Sequence, residues 1–345
     1  MTPLKYLVPA IIIIIGFILF KSAKEDKDSL YLFFDKNNQA TNDVVRLLGL
    51  TGIRIQNDHL TPDKNWPEAK LTLKSRSLEE ITDAVQGKTN PEVAWKRPNN
   101  KERWEMQLSF PLTQNQLDLI KNIYLNDLKF ANEENPKSRA YKGVLFLGST
   151  LKSARIRLSF LNKLIDSKRI TFSKVFVLTG ERQLTSDMGE TKEAFLNKDN
   201  GIITFNSDWT FSEQFPTDET DMVKLVFSQS KHPTLKDENI IFVHTLRKDE
   251  ERRATTETTV YKWLDLCNPE PGHYLAISNQ PFVLYQELVI YNALQKAGRK
   301  DIHVEVVGSA VDSTMHNFKT DQEVAILLDN LARIFYEMVK VSKVR

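Results

Sequence analysis

The feature that most constrains this chain is a series of short apolar runs in its carboxyl half, each closed by a glycine or a polar residue. Residues 144–147 (VLFL) stop at Gly148, and 174–179 (KVFVLT) stop at Gly180. Residues 239–244 (NIIFVH), 274–278 (YLAIS) and 302–307 (IHVEVV, before Gly308) repeat the pattern. Between them lie stretches with helical spacing. Over 151–165, for example, Leu151, Ala154, Leu158, Leu161 and Ile165 share one stripe. Residues 218–229, 255–266, 281–294 and 322–339 read as further helices. Strands that are apolar throughout need cover on both faces, so their alternation with helices implies βαβ units. The fold class expected for residues 141–345 is α/β: a Rossmann-like parallel sheet with helices on both faces. A polar stretch over 183–217 interrupts it, long enough to be a lid or an insertion.

The amino-terminal part reads differently. Residues 6–20 form an unbroken apolar run centred on five isoleucines, Ile11 to Ile15. Counted from Leu4 to Phe20 it would reach roughly 23–26 Å as a helix, near the ~30 Å hydrocarbon core. Lys21 sits where a small residue is wanted before a cleavage point after Ala23, so residues 1–24 are expected to be an uncleaved signal-anchor. A cleaved signal peptide and a buried core segment are the alternatives. Residues 25–140 are expected to be a charged linker followed by a small α+β region. Within it, 69–75 and 105–110 alternate like strands, whereas 78–85 and 114–128 have helical spacing. Residues 90–103 form a polar, basic loop, and Trp66, Trp95 and Trp104 are candidate core residues of this region or part of a ligand or partner surface.

Composition narrows the function. Apolar residues at 41% and charged residues at 27% fit a chain with a core, and 47 basic against 45 acidic residues leave a net charge of +2. So small a surplus disfavours nucleic acid as a partner. The single cysteine, Cys267, excludes an internal disulfide and a CxxC site. No two histidines stand at metal-ligand spacing, so neither a metal nor any cofactor is expected. The phosphate motifs GxGxxG and GxxxxGKS/T are absent, as is the GxSxG elbow of the α/β hydrolases.

In an open parallel sheet, ligands bind beyond the carboxyl ends of the strands, where strand order switches. That rule selects candidates without a motif. Gly148, Ser149 and Thr150 join a strand to a helix, where free N–H groups favour an anion, or where the hydroxyls merely cap. Arg155 and Arg157 lie on the shoulders of the following helix, facing the site or solvent. Gly180, Glu181 and Arg182 bring both charge signs to a strand end. Arg182 suits a phosphate or carboxylate, and Glu181 is either a base or an ion-pair partner. Glu219 opens a helix, as a second candidate base or as a residue complementing the helix dipole. Arg253 and Thr255 precede the next helix. Ser278, Asn279 and Gln280 lead to Pro281, which suits the first position of a helix, with Tyr285 one turn on. Gln280 is a poor cap, which points to a ligand contact instead.

These segments resemble the SanA/YdcF/ElyC-like family. The likeness spans residues 141–308 and rests on VLFLGSTLKSARIRL, KVFVLTGER, the Glu219-to-Met222 helix start, RRATTETTV and LAISNQPFVLYQ. Two features depart from the family pattern. Gly180-Glu181 stands where a double glycine is usual, and Asn279-Gln280 with Tyr285-Gln286 replaces a histidine-arginine pair. The resemblance implies a Rossmann-like domain held on the periplasmic side of a bacterial inner membrane by a single-pass anchor, with a role in envelope maintenance. Together with the residues it leads to the expectation of a membrane-anchored protein that binds a small anionic ligand, phosphate-bearing or an envelope precursor. Hydrolysis or group transfer with Glu181 or Glu219 as base stays open, as does a non-catalytic scaffold for a protein partner.

Overall fold

A computed structural model describes residues 32–35, 39–53, 77–89, 91–98, 101–211, 214–230, 235, 237–248, 253–311 and 320–344. The expected anchor, the strand expected at 69–75 and Trp66 lie outside them. Among the described residues no helix is long and apolar enough to cross a membrane. The chain divides into two compact units, Met1–Ala94 with Ser109–Ile123 and Trp95–Leu108 with Tyr124–Arg345. The boundary therefore does not fall cleanly at residue 140, because Trp95–Leu108 belongs to the second unit.

The first unit is helical among its described residues, apart from an isolated bridge between Phe34 and Ala40. Helix α1 (Asn42–Leu50) buries Val44, Val45, Leu47 and Leu48. Helix α2 (Leu78–Val85) is started by a capping box in which Ser77 and Glu80 satisfy each other's backbone N–H groups. Thr113 and Gln116 do the same for α3 (Gln114–Asn122). Gln116 also donates its side-chain amide to the Leu50 carbonyl at the end of α1, 3.2 Å away.

The second unit is built on five parallel strands, β1 (Gly143–Leu147), β2 (Val175–Gly180), β3 (Ile240–Thr245), β4 (Gly272–Asn279) and β5 (Ile302–Ser309), in the order β3-β2-β1-β4-β5. This is the Rossmann-like parallel sheet that the apolar runs imply. Phe146 registers with Val177 on one side and Ile277 on the other. Alternation sorts the side chains between two cores. Val144 and Phe146 pack beneath α4 (Leu151–Asp166) and α6 (Glu219–Gln229), whereas Leu145 and Leu147 pack beneath α7 (Thr256–Cys267) and α8 (Val283–Lys296). Both faces are covered, which is why β1 and β2 are buried at every position. The closing helix α9 (Thr320–Val344) packs on α8.

The segment over 183–217 is folded rather than open. It holds the short helix α5 (Lys192–Leu196) and sinks Phe195 and Ile203 into the first of these cores. Two local expectations need correction. Residues 105–110 are not a strand: a 3-10 turn, Arg103–Glu105, leads into an irregular segment whose Met106 packs on Ala325 and Ile326. Helix α8 starts at Val283 with Phe282 as its cap, so Pro281 does not open it, and the Gln280-Pro281 peptide is cis.

Candidate functional site

The carboxyl ends of β1, β2, β4 and β5 face one cleft of about 1410 Å³. Strand order places β1 between β2 and β4, and consecutive strands depart from it to opposite sides, so the β1/β4 boundary is the switch point. Of the expected residues, Gly148, Ser149, Thr150, Arg155, Arg157, Gly180, Arg182, Glu219, Arg253, Thr255, Asn279, Gln280 and Tyr285 all line this cleft. Ser278 and Glu181 do not. Ser278 is fully buried, and its hydroxyl has no partner. Glu181 turns away to the β3 exit, where it accepts from the Arg247 N–H at 3.0 Å and pairs with the Arg247 side chain at 3.9 Å. As a base for chemistry in the cleft it is misplaced.

The glycines do a different job from the one expected. A Cβ on Gly148 would collide with the Glu219 carboxylate and come within 2.9 Å of the Leu178 carbonyl. A Cβ on Gly180 would come within 2.9 Å of Ala254. Both glycines make room for the protein's own side chains at the rim, not for a ligand.

Arg182 is likewise taken. Its two terminal nitrogens donate to both oxygens of Glu190, at 2.6 and 2.9 Å, and its Nε donates to Glu219 at 3.0 Å. Burial alone would lower its pKa, but the two carboxylates hold it above the ordinary arginine value. Glu190 also accepts from the N–H groups of Thr185 and of Leu151, the first residue of α4. The anion at this helix start is therefore supplied from within, by a residue of the 183–217 insertion. Glu219, held by Arg182 and by the Gly180 N–H at 3.3 Å, is committed to the same cluster. Its capping neighbour Asp218 accepts from Asp221 N–H, as expected for a helix start.

Arg155 is buried and spans from α4 to the insertion. It donates to the carbonyls of Ala194 and Phe195 and to the Gln229 side chain. With no carboxylate beside it, burial pushes its pKa down to about 10. Thr150 occupies the cap of α4 without making a side-chain cap bond, and Thr255 caps α7 by accepting from Thr258 N–H.

Arg157 shares the missing carboxylate of Arg155 but sits at the switch point itself. It is 3% exposed and bridges the two strands of the switch point. Its Nε donates to Asn279 Oδ1 at 2.9 Å, and its Nη1 donates to the carbonyls of Leu147 and Gly148 at 2.7 and 2.8 Å. No carboxylate pairs with it among the described residues. Burial pushes its pKa down to about 10, against a smaller upward pull from Glu219. A guanidinium keeps its proton in proteins, so Arg157 is a buried positive charge with no carboxylate in contact among the described residues.

Several functional side chains escaped the strand-end rule. Arg97, Arg103 and Arg333 also line the cleft, from the Trp95–Leu108 segment and from α9. Asp329 neutralises part of this group: it accepts from the Arg97 N–H at 2.9 Å and pairs with Arg333 at 2.9 Å. Glu102 lies 3.5 Å from Arg97 and 3.6 Å from Arg253. Arg103 has no ion-pair partner among the described residues and stacks on the Phe282 ring at 3.9 Å. Burial and the neighbouring Arg253 push its pKa down to about 9. The only sequence signal for Arg97 and Arg103 was the basic character of residues 90–103, and Arg333 had none.

Nine cationic side chains and three carboxylates line the cleft in a chain whose net charge is only +2. Positive charge is concentrated there. Among the described residues, no cluster of three His, Cys, Asp or Glu side chains is placed to hold a metal ion. No family model, curated protein or solved structure matches the chain.

Proposed function

We propose that the second unit binds a small phosphate-bearing anion at the β1/β4 switch point, with Arg157 as its charged contact. The observation that carries this reading is the unneutralised, buried Arg157, held rigidly by two backbone carbonyls and Asn279 at the floor of a strongly cationic cleft. A guanidinium pre-aligned on three acceptors loses little entropy on meeting an oxyanion. The reading is binding rather than bond cleavage. Glu219 is committed to Arg182, and Glu181 lies outside the cleft, so neither expected base is free. A cleft lined by charge also favours a ligand site over a scaffold whose strand ends are filled by apolar side chains.

Titration calorimetry with inorganic phosphate tests it. Wild type binds, and Arg157→Gln weakens the affinity about tenfold or more, the worth of one charge-assisted hydrogen bond. Equal affinity in a folded R157Q protein would overturn the reading.

The likeness to the SanA/YdcF/ElyC-like family extends the proposal to where the ligand is met: at a bacterial envelope, on the periplasmic side, with residues 4–20 as tether. Carbonate extraction of membranes tests the tether, since the full chain stays in the pellet and a chain lacking residues 1–24 does not. Release of the full chain into the supernatant would remove the anchor.

A further inference from the structure

We propose that the cleft holds a second anion-binding pole at Arg103, so that its ligand is a small polyhydroxylated molecule with two anionic groups, of the sugar-bisphosphate class. This rests on the reading of Arg157 as the first pole. The link between the poles is the turn over residues 279–282 after β4. At its start, Asn279 accepts from Arg157 at 2.9 Å, and at its end the Phe282 ring carries the Arg103 guanidinium at 3.9 Å. The Phe282 N–H donates to the Asn279 carbonyl at 3.0 Å, closing the turn, so its ends stand less than about 7 Å apart. The turn is pinned from behind by Asn330, which donates to the Pro281 carbonyl at 2.9 Å. Both guanidinium groups are therefore tied to the two ends of one short turn in the same cleft.

The same cleft carries polar groups that are unmet. Gln280 and Gln286 line it, and their side-chain oxygens are buried without a hydrogen-bond partner among the described residues. Buried amides without partners cost stability unless a ligand satisfies them. A hydroxyl both donates and accepts, so it complements an amide in either orientation. Two cations and two unsatisfied amide oxygens in one cleft thus call for two anionic groups joined by a hydroxyl-bearing segment. Arg103 also lacks what its neighbours have. Asp329 pairs with Arg333 and Glu102 with Arg97 and Arg253, whereas the Arg103 Nε is buried and unpartnered.

Calorimetry with fructose bisphosphate, fructose monophosphate and inorganic phosphate separates the two claims. Wild type is expected to bind the bisphosphate at least tenfold more tightly than the monophosphate. Arg103→Gln is expected to erase that preference. Gln286→Leu, which leaves both cations in place, is expected to weaken both sugar phosphates about tenfold and inorganic phosphate not at all. Equal affinity of wild type for bisphosphate and monophosphate overturns the second pole, whatever the variants do, and leaves Arg157 standing. Retention of the preference in a folded R103Q protein also overturns it. An unchanged Q286L profile overturns the hydroxyl contact. Failure of wild type to bind any of the three overturns both readings.

Discussion

Two arginines at the rim of the same sheet, Arg182 at the β2 exit and Arg157 at the β1/β4 boundary, show how differently a buried cation can be used. Arg182 meets Glu190 and Glu219 in a closed cluster in which its charge is fully countered. Arg157 is as deeply buried but meets only carbonyl and amide oxygens. Burying an ion pair roughly balances desolvation against attraction, whereas a lone buried charge leaves the desolvation unmet. The first arrangement holds an insertion onto the sheet. The second leaves a buried charge at the switch point, the one that the proposed anion would meet.

The contrast is most easily broken through Arg182. Arg182→Ala strands two buried carboxylates, and the expected loss is about 3–5 kcal/mol in urea unfolding. A loss below about 1 kcal/mol would mean the cluster is not what anchors the insertion, and the contrast with Arg157 would collapse.

A subtler test lies in the second arginine group. Burial pushes the pKa of Asp329 up, but Arg333, Arg97 and Arg103 together hold it below the usual aspartate value. The unfolded chain therefore binds this proton more tightly than the folded one. The stability it contributes is complete above the unfolded value of roughly 3.9 and is lost as pH falls through the lower folded value. Asp329→Asn is expected to flatten the fall of unfolding free energy with acid below that point. Parallel acid profiles for the two proteins would show that this carboxylate is not held by its arginines.

The smallest effect belongs to Glu181. Its pair with Arg247 is long and partly exposed, so Glu181→Gln should change stability by less than about 1 kcal/mol and leave phosphate affinity unchanged. A marked loss of phosphate binding would return Glu181 to the site and contradict its placement outside the cleft.

Much of the second unit was readable from residues alone, because a strand buried on both faces must be apolar throughout, and few other structures demand that. The gathering of Gly148, Gly180 and Asn279 at one rim followed from the same pattern. Residues 105–110 were less readable. Alternation at 105–110 looks like a strand, but an extended segment that lays Met106 on Ala325 and Ile326 produces the same spacing. At the site, sequence ranked Arg182 as the anion holder and gave Arg155 and Arg157 equal standing. Nothing local distinguishes them, since the Glu190 that neutralises Arg182 lies within a polar insertion and resembles any solvated acid.

Sequence by itself determined the parallel α/β architecture and the edge of the sheet where polar residues collect, since hydrophobic periodicity acts through burial that each short segment must satisfy on its own. Tertiary structure alone decided which charges at that edge are cancelled and which remain. Neutralisation depends on distances of a few ångströms between residues far apart in the chain, as with Arg253 and Glu102 or Arg182 and Glu219, and one-dimensional spacing carries no record of those distances.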